Sequence, residues 1–193
     1  MTERSPRERM VYSAAQLIRA HGVSGTSLRD VVAHARAPRG SLAHYFPGGK
    51  EQLVAEAVAW TRRYVGRQVS RFVAALDPPV PSGLFRAMAG QWRDEFTSAG
   101  FGRGCPLVAI TAGEADNDSV REAVRDAFDG WQRPVAAALT DLGVPAERAE
   151  PLALLMISAL EGAIVLARVR RDVEPLDTVV AELAPLLDAA VVT

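Results

Sequence analysis

The sequence has a single cysteine, Cys105, among 193 residues, so no disulfide bond can form within one chain. Aromatic residues make up only 6% of it, and no strand-like alternation of polar and apolar residues persists. Histidine occurs three times, at His21, His34 and His44, and never in HExxH spacing. This set of residues argues against a structural zinc site, and we expect neither a metal nor another cofactor.

Long hydrophobic runs are also missing. The most apolar stretch, residues 151–167, is short for a membrane span and holds Glu161 near its middle. We expect no secretory signal peptide, because the first residues do not have the pattern of one. We therefore expect a soluble cytoplasmic protein with no membrane partner, in which residues 151–167 form a buried helix.

Residues that could form a catalytic set are absent as well. No histidine follows His44, and neither a Ser–His–acid arrangement nor a pair of carboxylates with catalytic spacing can be argued. We interpret Cys105 as a small, buried, apolar side chain. The alternative is a redox sensor, but no second cysteine supports that role. The prediction is that the protein is not an enzyme.

The charge of the chain is distributed unevenly. Residues 1–71 contain 12 Lys and Arg against 5 Asp and Glu, a net charge of +7, whereas residues 72–193 contain 10 against 18, a net charge of −8. A basic segment suits a polyanionic partner, and an acidic segment is repelled by one. We expect the N-terminal third to face nucleic acid and the remainder to point away from it.

Apolar residues recur at helical spacing throughout, which predicts an all-α fold of about nine helices. Pro145 and Pro175 suit the first turns of two helices, whereas Pro134 should kink or break another. Ser119 has capping-box spacing to Glu122 and should open a helix. Outside residues 24–53, the predicted helices span about 6–21, 50–75, 84–99, 106–112, 119–142, 146–171 and 175–191.

Residues 24–53, SGTSLRDVVAHARAPRGSLAHYFPGGKEQL, predict two short helices joined by a tight turn. Thr26 or Ser27 can cap the first helix, and Ala37-Pro38 breaks it. Pro38 then suits the first turn of the second helix. A brief second helix that presents Arg, Ser, His and Tyr is typical of a helix-turn-helix DNA reader, although an ordinary helical corner has the same pattern.

The run from Arg9 to Leu53 resembles the DNA-binding domain of the TetR family of bacterial one-component repressors. Pro-Arg-Gly-Ser-Leu, Phe-Pro-Gly-Gly-Lys-Glu-Gln-Leu and the later Gly-Cys-Pro at 104–106 are similar to its LmrA/YxaF-like branch. The sequence departs from the family at Ala43, where an aromatic residue is usual, so a DNA contact of the relatives is in doubt here. The segments in the family's order are Ala20-His21-Gly22-Val23, Thr26-Ser27-Leu28-Arg29-Asp30-Val31-Val32, Gly40-Ser41-Leu42, His44-Tyr45-Phe46 and Lys50-Glu51-Gln52-Leu53.

The resemblance implies a double-stranded DNA operator as a partner. Arg39, Ser41 and Ala43 are expected over base edges, since Arg and Ser can donate to bases and Ala can touch a thymine methyl group. Phosphate contacts that set the register are expected from the hydroxyl and basic residues at the helix ends. The predicted DNA-binding residues are Thr26, Ser27, Arg39, Gly40, Ser41, Ala43, His44, Tyr45 and Lys50, of which Thr26, His44, Tyr45 and Lys50 would hold phosphates.

The predicted helix 146–171 is apolar nearly all round. A helix buried on all sides must touch more than the core of its own domain, which favours a homodimer interface over a central helix in a monomer. The resemblance agrees, because TetR-like proteins form a four-helix interface from two helices of each subunit. The predicted interface residues are Leu155, Ser158, Ala159, Gly162, Ala163, Leu166, Val179, Leu183 and Leu186.

The family also carries a small-molecule effector pocket in its C-terminal region. Here the candidate lining residues are Trp92, Phe96, Phe128, Trp131 and Met156, each of which plain core packing also explains. Glu161 could pair with a cationic effector, and the glycines at 100, 102 and 104 are expected to allow movement.

The sequence thus predicts three parts, namely a DNA-binding domain at 1–50, a connecting helix at 51–75 and an effector-binding and dimerisation domain at 76–193. We expect a repressor that releases a palindromic operator when a small hydrophobic or aromatic molecule binds. The alternative is a helical ligand-binding or interaction module with no role at DNA.

Overall fold

The computed structural model describes residues 5–38, 40–113 and 118–192. In these ranges the chain forms nine α-helices and no β-strand, which confirms the all-α prediction. The helices are α1 (Pro6–His21), α2 (Leu28–His34), α3 (Ser41–Tyr45), α4 (Gly49–Ala74), α5 (Pro81–Ala99), α6 (Pro106–Gly113), α7 (Asp118–Asp141), α8 (Ala146–Arg170) and α9 (Glu174–Asp188).

Local sequence signals explain most of these boundaries. The Ser5 hydroxyl accepts a hydrogen bond from the Glu8 N–H at 3.3 Å, and the Glu8 carboxylate accepts one from the Ser5 N–H at 2.8 Å. This capping box starts α1 as the predicted range required. Pro175 lies in the first turn of α9 as predicted, where the missing N–H of proline costs no hydrogen bond. Pro145 is instead the N-cap residue and precedes the first turn of α8.

Two further helix starts differ from the prediction, and one predicted break does not occur. Pro38 lies before α3 rather than in its first turn, and its carbonyl accepts the Ser41 N–H at 3.0 Å. Ser119 lies inside α7 and donates to Glu51 Oε1 at 2.9 Å, so it is not the helix cap. Pro134 also lies inside α7, which continues to Asp141, so the helix does not break there, and a kink at Pro134 remains a prediction.

The described residues group into two compact units. The first combines those of 1–63 with those of 105–128, and α6 packs on α1 within it. The second combines 64–104 with 129–192, and α9 packs on both α5 and α8. This grouping cuts across the predicted parts 1–50, 51–75 and 76–193, because α6 contacts a helix about 90 residues earlier in the chain. The functional division of the chain remains a prediction.

Among the described helices, α8 alone is long and apolar enough to cross a membrane by length and composition. Half of its most apolar window is buried inside the protein. The central helix of a soluble protein meets the same criteria, so this finding alone is weak evidence for a membrane span.

Candidate DNA interface, partner surface and effector region

The first helix of the reading motif, α2, begins at a second capping box. The Asp30 N–H donates to the Ser27 hydroxyl at 3.1 Å, and that hydroxyl donates to Asp30 Oδ2 at 2.5 Å. This side-chain bond from Ser27 holds the pKa of Asp30 below its ordinary value. Ser27 therefore fixes the start of α2 while its side chain stays exposed.

Thr26 has a structural role in the folded chain. Its side chain is only 4% exposed, and its hydroxyl donates to the Gly22 carbonyl at 2.8 Å. The proton that a phosphate contact would use is therefore already committed within the protein. The phosphate contact predicted for Thr26 would require this bond to break.

None of the residues of the second helix of the motif, α3, is buried. Ala43 and His44 are exposed, and the His44 and Tyr45 rings meet edge to face at 4.9 Å. Ser41 donates its hydroxyl proton to the Pro38 carbonyl at 2.7 Å, which leaves its lone pairs to accept from DNA. Arg39, predicted to contact bases, lies outside the described residues.

Gly40, the N-cap residue of α3, is exposed and has φ −80° and ψ −10°, which any residue can adopt. Among the described atoms, a Cβ added there would meet nothing within 4 Å. Neither the backbone conformation nor internal packing therefore requires glycine at this position. A requirement for close approach by a partner would explain it.

Lys50 lies beside the start of α2. Together with Thr26 and Ser27 it lines a small cleft of about 10 Å³, which also borders α1 and the first residues of α4. The cleft holds no more than about one water molecule, so it is not a ligand pocket. Lys50 thus lies next to the residues that begin α2, and its contact with a phosphate remains a prediction.

Helix α8 is not buried on all sides as its sequence suggested. One face packs in the second unit, and the other carries large apolar side chains into solvent, with Val169 78% exposed and Leu166 48% exposed. Leu155, Ser158 and Gly162 lie at helical spacing on this exposed face. Leu154, Val165 and Val169 are also exposed on α8 and were not among the predicted interface residues, although they lie four residues from Ser158, three from Gly162 and three from Leu166, respectively.

The other predicted interface residues divide between surface and core. On α9, Leu186 is exposed and Val179 and Leu183 are half-buried, while Ala159 on α8 is half-buried. Ala163 is only 2% exposed because it faces the core of its own subunit. A Cβ at Gly162 would meet nothing within 4 Å in the described part of the chain, so a second helix has room to approach.

The predicted effector residues are mainly core residues. Phe96, Trp131 and Met156 are buried, whereas Trp92 is half-buried with its ring 5.9 Å from that of Phe96. Phe96 also stacks on Phe101 at 5.0 Å. Phe128 belongs to the first compact unit, whereas the other four predicted effector residues belong to the second. The division into units therefore does not support a single pocket lined by all five residues.

The glycine-rich loop before α6 contacts the side chain of Arg168. Arg168 of α8 donates to the carbonyls of Phe101 at 3.4 Å and Gly102 at 3.2 Å. A Cβ at Gly104 would lie 2.7 Å from Arg168 Nη1, so only glycine lets the guanidinium approach this closely. Gly104 therefore allows this packing, and movement of the loop remains a prediction.

Known proteins match this chain along nearly its whole length. The family model for the C-terminal domain of LmrA/YxaF-like transcriptional regulators matches residues 81–182, and the model for bacterial regulatory proteins of the tetR family matches residues 12–57. The chain is 42% identical over 189 residues to Rv0196 of Mycobacterium tuberculosis H37Rv, named as an uncharacterized HTH-type transcriptional regulator, with 94% of each chain covered.

Two further similarities agree with these matches. The chain is 30% identical over 190 residues to YxaF of Bacillus subtilis strain 168, which has the same kind of name, and 97% of each chain is covered. A crystal structure of a TetR transcriptional regulator from Chloroflexus aurantiacus J-10-FL has a TM-score of 0.73 and 28% identity, covering 93% of this chain and 92% of that one. The chain therefore belongs to the TetR family of bacterial transcriptional regulators, which bind DNA and are not enzymes, and its C-terminal domain is of the LmrA/YxaF-like type.

Proposed function

We propose that this regulator is a cytoplasmic homodimeric repressor that occupies a near-palindromic operator. It releases that operator when a small hydrophobic or aromatic molecule binds the C-terminal domain. The observation that carries the proposal is helix α3, which has no buried residue and follows a capped α2 within the basic N-terminal segment. Internal packing gives no reason to expose Gly40, Ala43 and His44 together, whereas a major groove does.

A second copy of the chain is the proposed occupant of the exposed apolar face of α8 and α9. Large apolar side chains in a contiguous row favour a protein contact, because their burial removes apolar surface from water. A two-fold axis would place the same face of each subunit against the other, with Gly162 allowing close approach. Two reading helices related by this axis require an operator with matching half-sites.

The effector is proposed to bind among the helices of the C-terminal domain, close to Trp92. This half-buried ring borders the stacked pair Phe96 and Phe101, so an apolar or aromatic molecule could extend an existing aromatic cluster. Such a molecule lowers operator affinity only if it binds one arrangement of the two reading heads better than the other. A coupling of about 1–3 kcal/mol would lower operator affinity about 5- to 150-fold.

The experiment for DNA binding is a fluorescence anisotropy titration with DNA from immediately upstream of the chain's own gene. Unlabelled scrambled DNA of the same composition serves as competitor. Neutralisation of about 6–10 phosphates per dimer predicts a loss of affinity of three to five orders of magnitude between about 50 and 200 mM salt. An affinity that does not change with salt, or equal competition by scrambled DNA, contradicts the proposal for this fragment.

Repression is tested with the same fragment placed ahead of a reporter gene. We expect reporter output to fall when the protein is present and to recover when a compound found by thermal-shift screening is added, since a ligand of the folded state raises its melting temperature. Reporter output that rises with the protein would identify an activator. A protein that binds such compounds but no DNA would fit the alternative, a helical ligand-binding module.

A further inference from the structure

We propose that Arg7 and Arg9 of α1 are positioning residues that hold the chain on both sides of the reading helix α3, rather than phosphate contacts. The inference rests on the proposed reading role of α3. It adds two residues that the charge pattern alone would count among the DNA-binding cations.

Arg9 holds the chain ahead of α3. Its Nε donates to the carbonyl of Ala35 at 3.1 Å, and Ala35 is the C-cap residue of α2. The carbonyls at a helix C-terminus lack partners within the helix and carry partial negative charge, so a guanidinium satisfies one of them and is favoured there. Arg36 follows with φ +51°, in the left-handed region, and begins the turn that leads toward α3. Arg9 therefore fixes the point at which this turn starts.

Arg7 holds the chain behind α3. Its Nη2 donates to Glu56 Oε1 of α4 at 2.6 Å, and its guanidinium carbon lies 5.6 Å from the centre of the Phe46 ring. Phe46 is the C-cap residue of α3 and is buried. One arginine thus contacts both the residue that ends the reading helix and the helix that follows it, through an ion pair and a cation–π contact.

Gln52 extends this contact to the turn between α3 and α4. Its Nε2 donates to Glu56 Oε1 at 3.0 Å, the same oxygen that Arg7 contacts, and its Oε1 accepts the Gly48 N–H at 2.9 Å. A Cβ at Gly48 would lie 3.1 Å from Cβ of Gln52, so glycine allows this approach. Through Gln52 and Glu56, the segment after α3 is therefore connected to Arg7 at the start of α1. Arg9, in the same part of α1, contacts the segment before α3.

The consequence is a specific expectation for salt dependence. A residue that contacts phosphate releases counterions, so its loss lowers the slope of log affinity against log salt by about 0.9 for each contact. A positioning residue contributes no phosphate contact of its own, so its loss lowers affinity while the slope stays the same. Lys50 is the proposed phosphate contact and serves as the contrast.

The test compares full-length Arg7→Gln, Arg9→Gln and Lys50→Gln with the wild type on the upstream DNA, across about 50–200 mM salt. The two arginine variants should each lose about two- to fivefold in affinity per subunit, with an unchanged slope. This is the range that a partly exposed ion pair supports for Arg7 and a single hydrogen bond supports for Arg9. Lys50→Gln should lose affinity and also show the shallower slope. A shallower slope for both arginine variants, or wild-type affinity for both, overturns the proposal.

Glu56→Gln provides a second test, because the two explanations predict opposite changes in DNA affinity. Removing an acid from a DNA-binding domain should strengthen DNA binding if only long-range charge matters, whereas weakening the Arg7 contact should reduce it. Glu51→Gln is the matched control, since it removes a carboxylate from the same helix and keeps an acceptor for Ser119. We expect Glu56→Gln to bind DNA more weakly than Glu51→Gln; equal or stronger binding contradicts the proposal.

These outcomes separate the inference from the function on which it rests. If the wild type shows no specific, salt-dependent binding, the proposed function fails for this fragment, whatever the arginine variants do. If the wild type and Lys50→Gln behave as expected while the arginine variants follow the phosphate pattern, only the positioning role fails. Thermal melts followed by circular dichroism identify any variant that does not fold. If Arg9→Gln does not fold, the Arg7→Gln and Glu56→Gln variants of the partly exposed Arg7–Glu56 pair still test the proposal.

Discussion

Asp188, the last residue of α9, caps the start of α5 through Ser82. Its Oδ1 accepts the Ser82 N–H at 2.9 Å, and its Oδ2 accepts the Ser82 hydroxyl at 2.7 Å. Val80, which precedes α5, has no side-chain group that could cap the helix. A carboxylate 106 residues away therefore satisfies an N–H group that the helix leaves without an internal partner, and its charge is favourable at this helix end.

Replacing Asp188 with alanine should lower the free energy of unfolding by about 1–2 kcal/mol, because it leaves a buried N–H and a buried hydroxyl without their acceptor. Urea denaturation measures the difference. Asp177→Ala is the control on the same helix, where the lost contact is an exposed ion pair with Arg93 worth at most about 1 kcal/mol. Equal losses in the two variants would mean that Asp188 is no more than a surface charge.

The α2 cap should weaken in acid. The hydrogen bond from Ser27 lowers the pKa of Asp30 in the folded protein, so the ionised carboxylate stabilises the fold above the unfolded pKa. This stability is lost as the pH falls through the lowered folded pKa. Wild type should therefore be more stable than Asp30→Asn at pH 7, and the difference should shrink as the pH is lowered below the ordinary Asp range. A difference that does not change with pH would exclude this linkage.

Gly40→Ala should separate stability from DNA binding. The backbone angles suit alanine and the added methyl group has room, so the free energy of unfolding should change by less than about 1 kcal/mol. If DNA approaches this backbone closely, operator affinity should fall by about tenfold, equivalent to about 1.4 kcal/mol. Gly90→Ala, another helix position with open space, should leave operator affinity unchanged. Unchanged affinity for Gly40→Ala would remove the glycine from the interface.

Gly162→Arg should convert the dimer to monomers, because it places a charge on the exposed apolar face of α8 without disturbing the subunit core. Sedimentation velocity measures the assembly. Ala137→Arg, at an exposed position on α7, should remain dimeric. Ala163→Arg should instead damage folding, since Ala163 is buried within its own subunit. A dimer that persists in Gly162→Arg would place the interface elsewhere.

Trp92→Ala should keep operator affinity and lose the response to effectors, because its ring is half-buried beside the aromatic cluster. Compounds are first selected by thermal shift with the wild type and then tested for operator release by anisotropy. Trp131→Ala is expected to cost about 3–5 kcal/mol of stability instead, as its ring is almost fully buried. If Trp92→Ala responds as the wild type does, the effector binds elsewhere.

The sequence alone determined the features that depend on neighbours along the chain. The nine helices in the described part of the chain follow from apolar spacing, and the Ser5–Glu8 capping box and the prolines at 145 and 175 mark several helix starts. Such signals act over three or four residues, so no tertiary information is needed to find them. The TetR motifs are also contiguous, which is why family membership followed from the same information.

Only the tertiary structure decided which side of each helix faces the core and which side faces solvent. Helix α8 has apolar residues on every side. Its sequence therefore could not show that Ala163 faces the core while Gly162 faces solvent. The sequence also did not predict the burial of Thr26 or the contact of Arg168 with Gly104, because both depend on how the chain packs. Arg7, Glu56, Ser82 and Asp188 act through partners 49 or 106 residues away. No local pattern encodes these distances, because they are fixed when helices pack and their buried polar groups find partners.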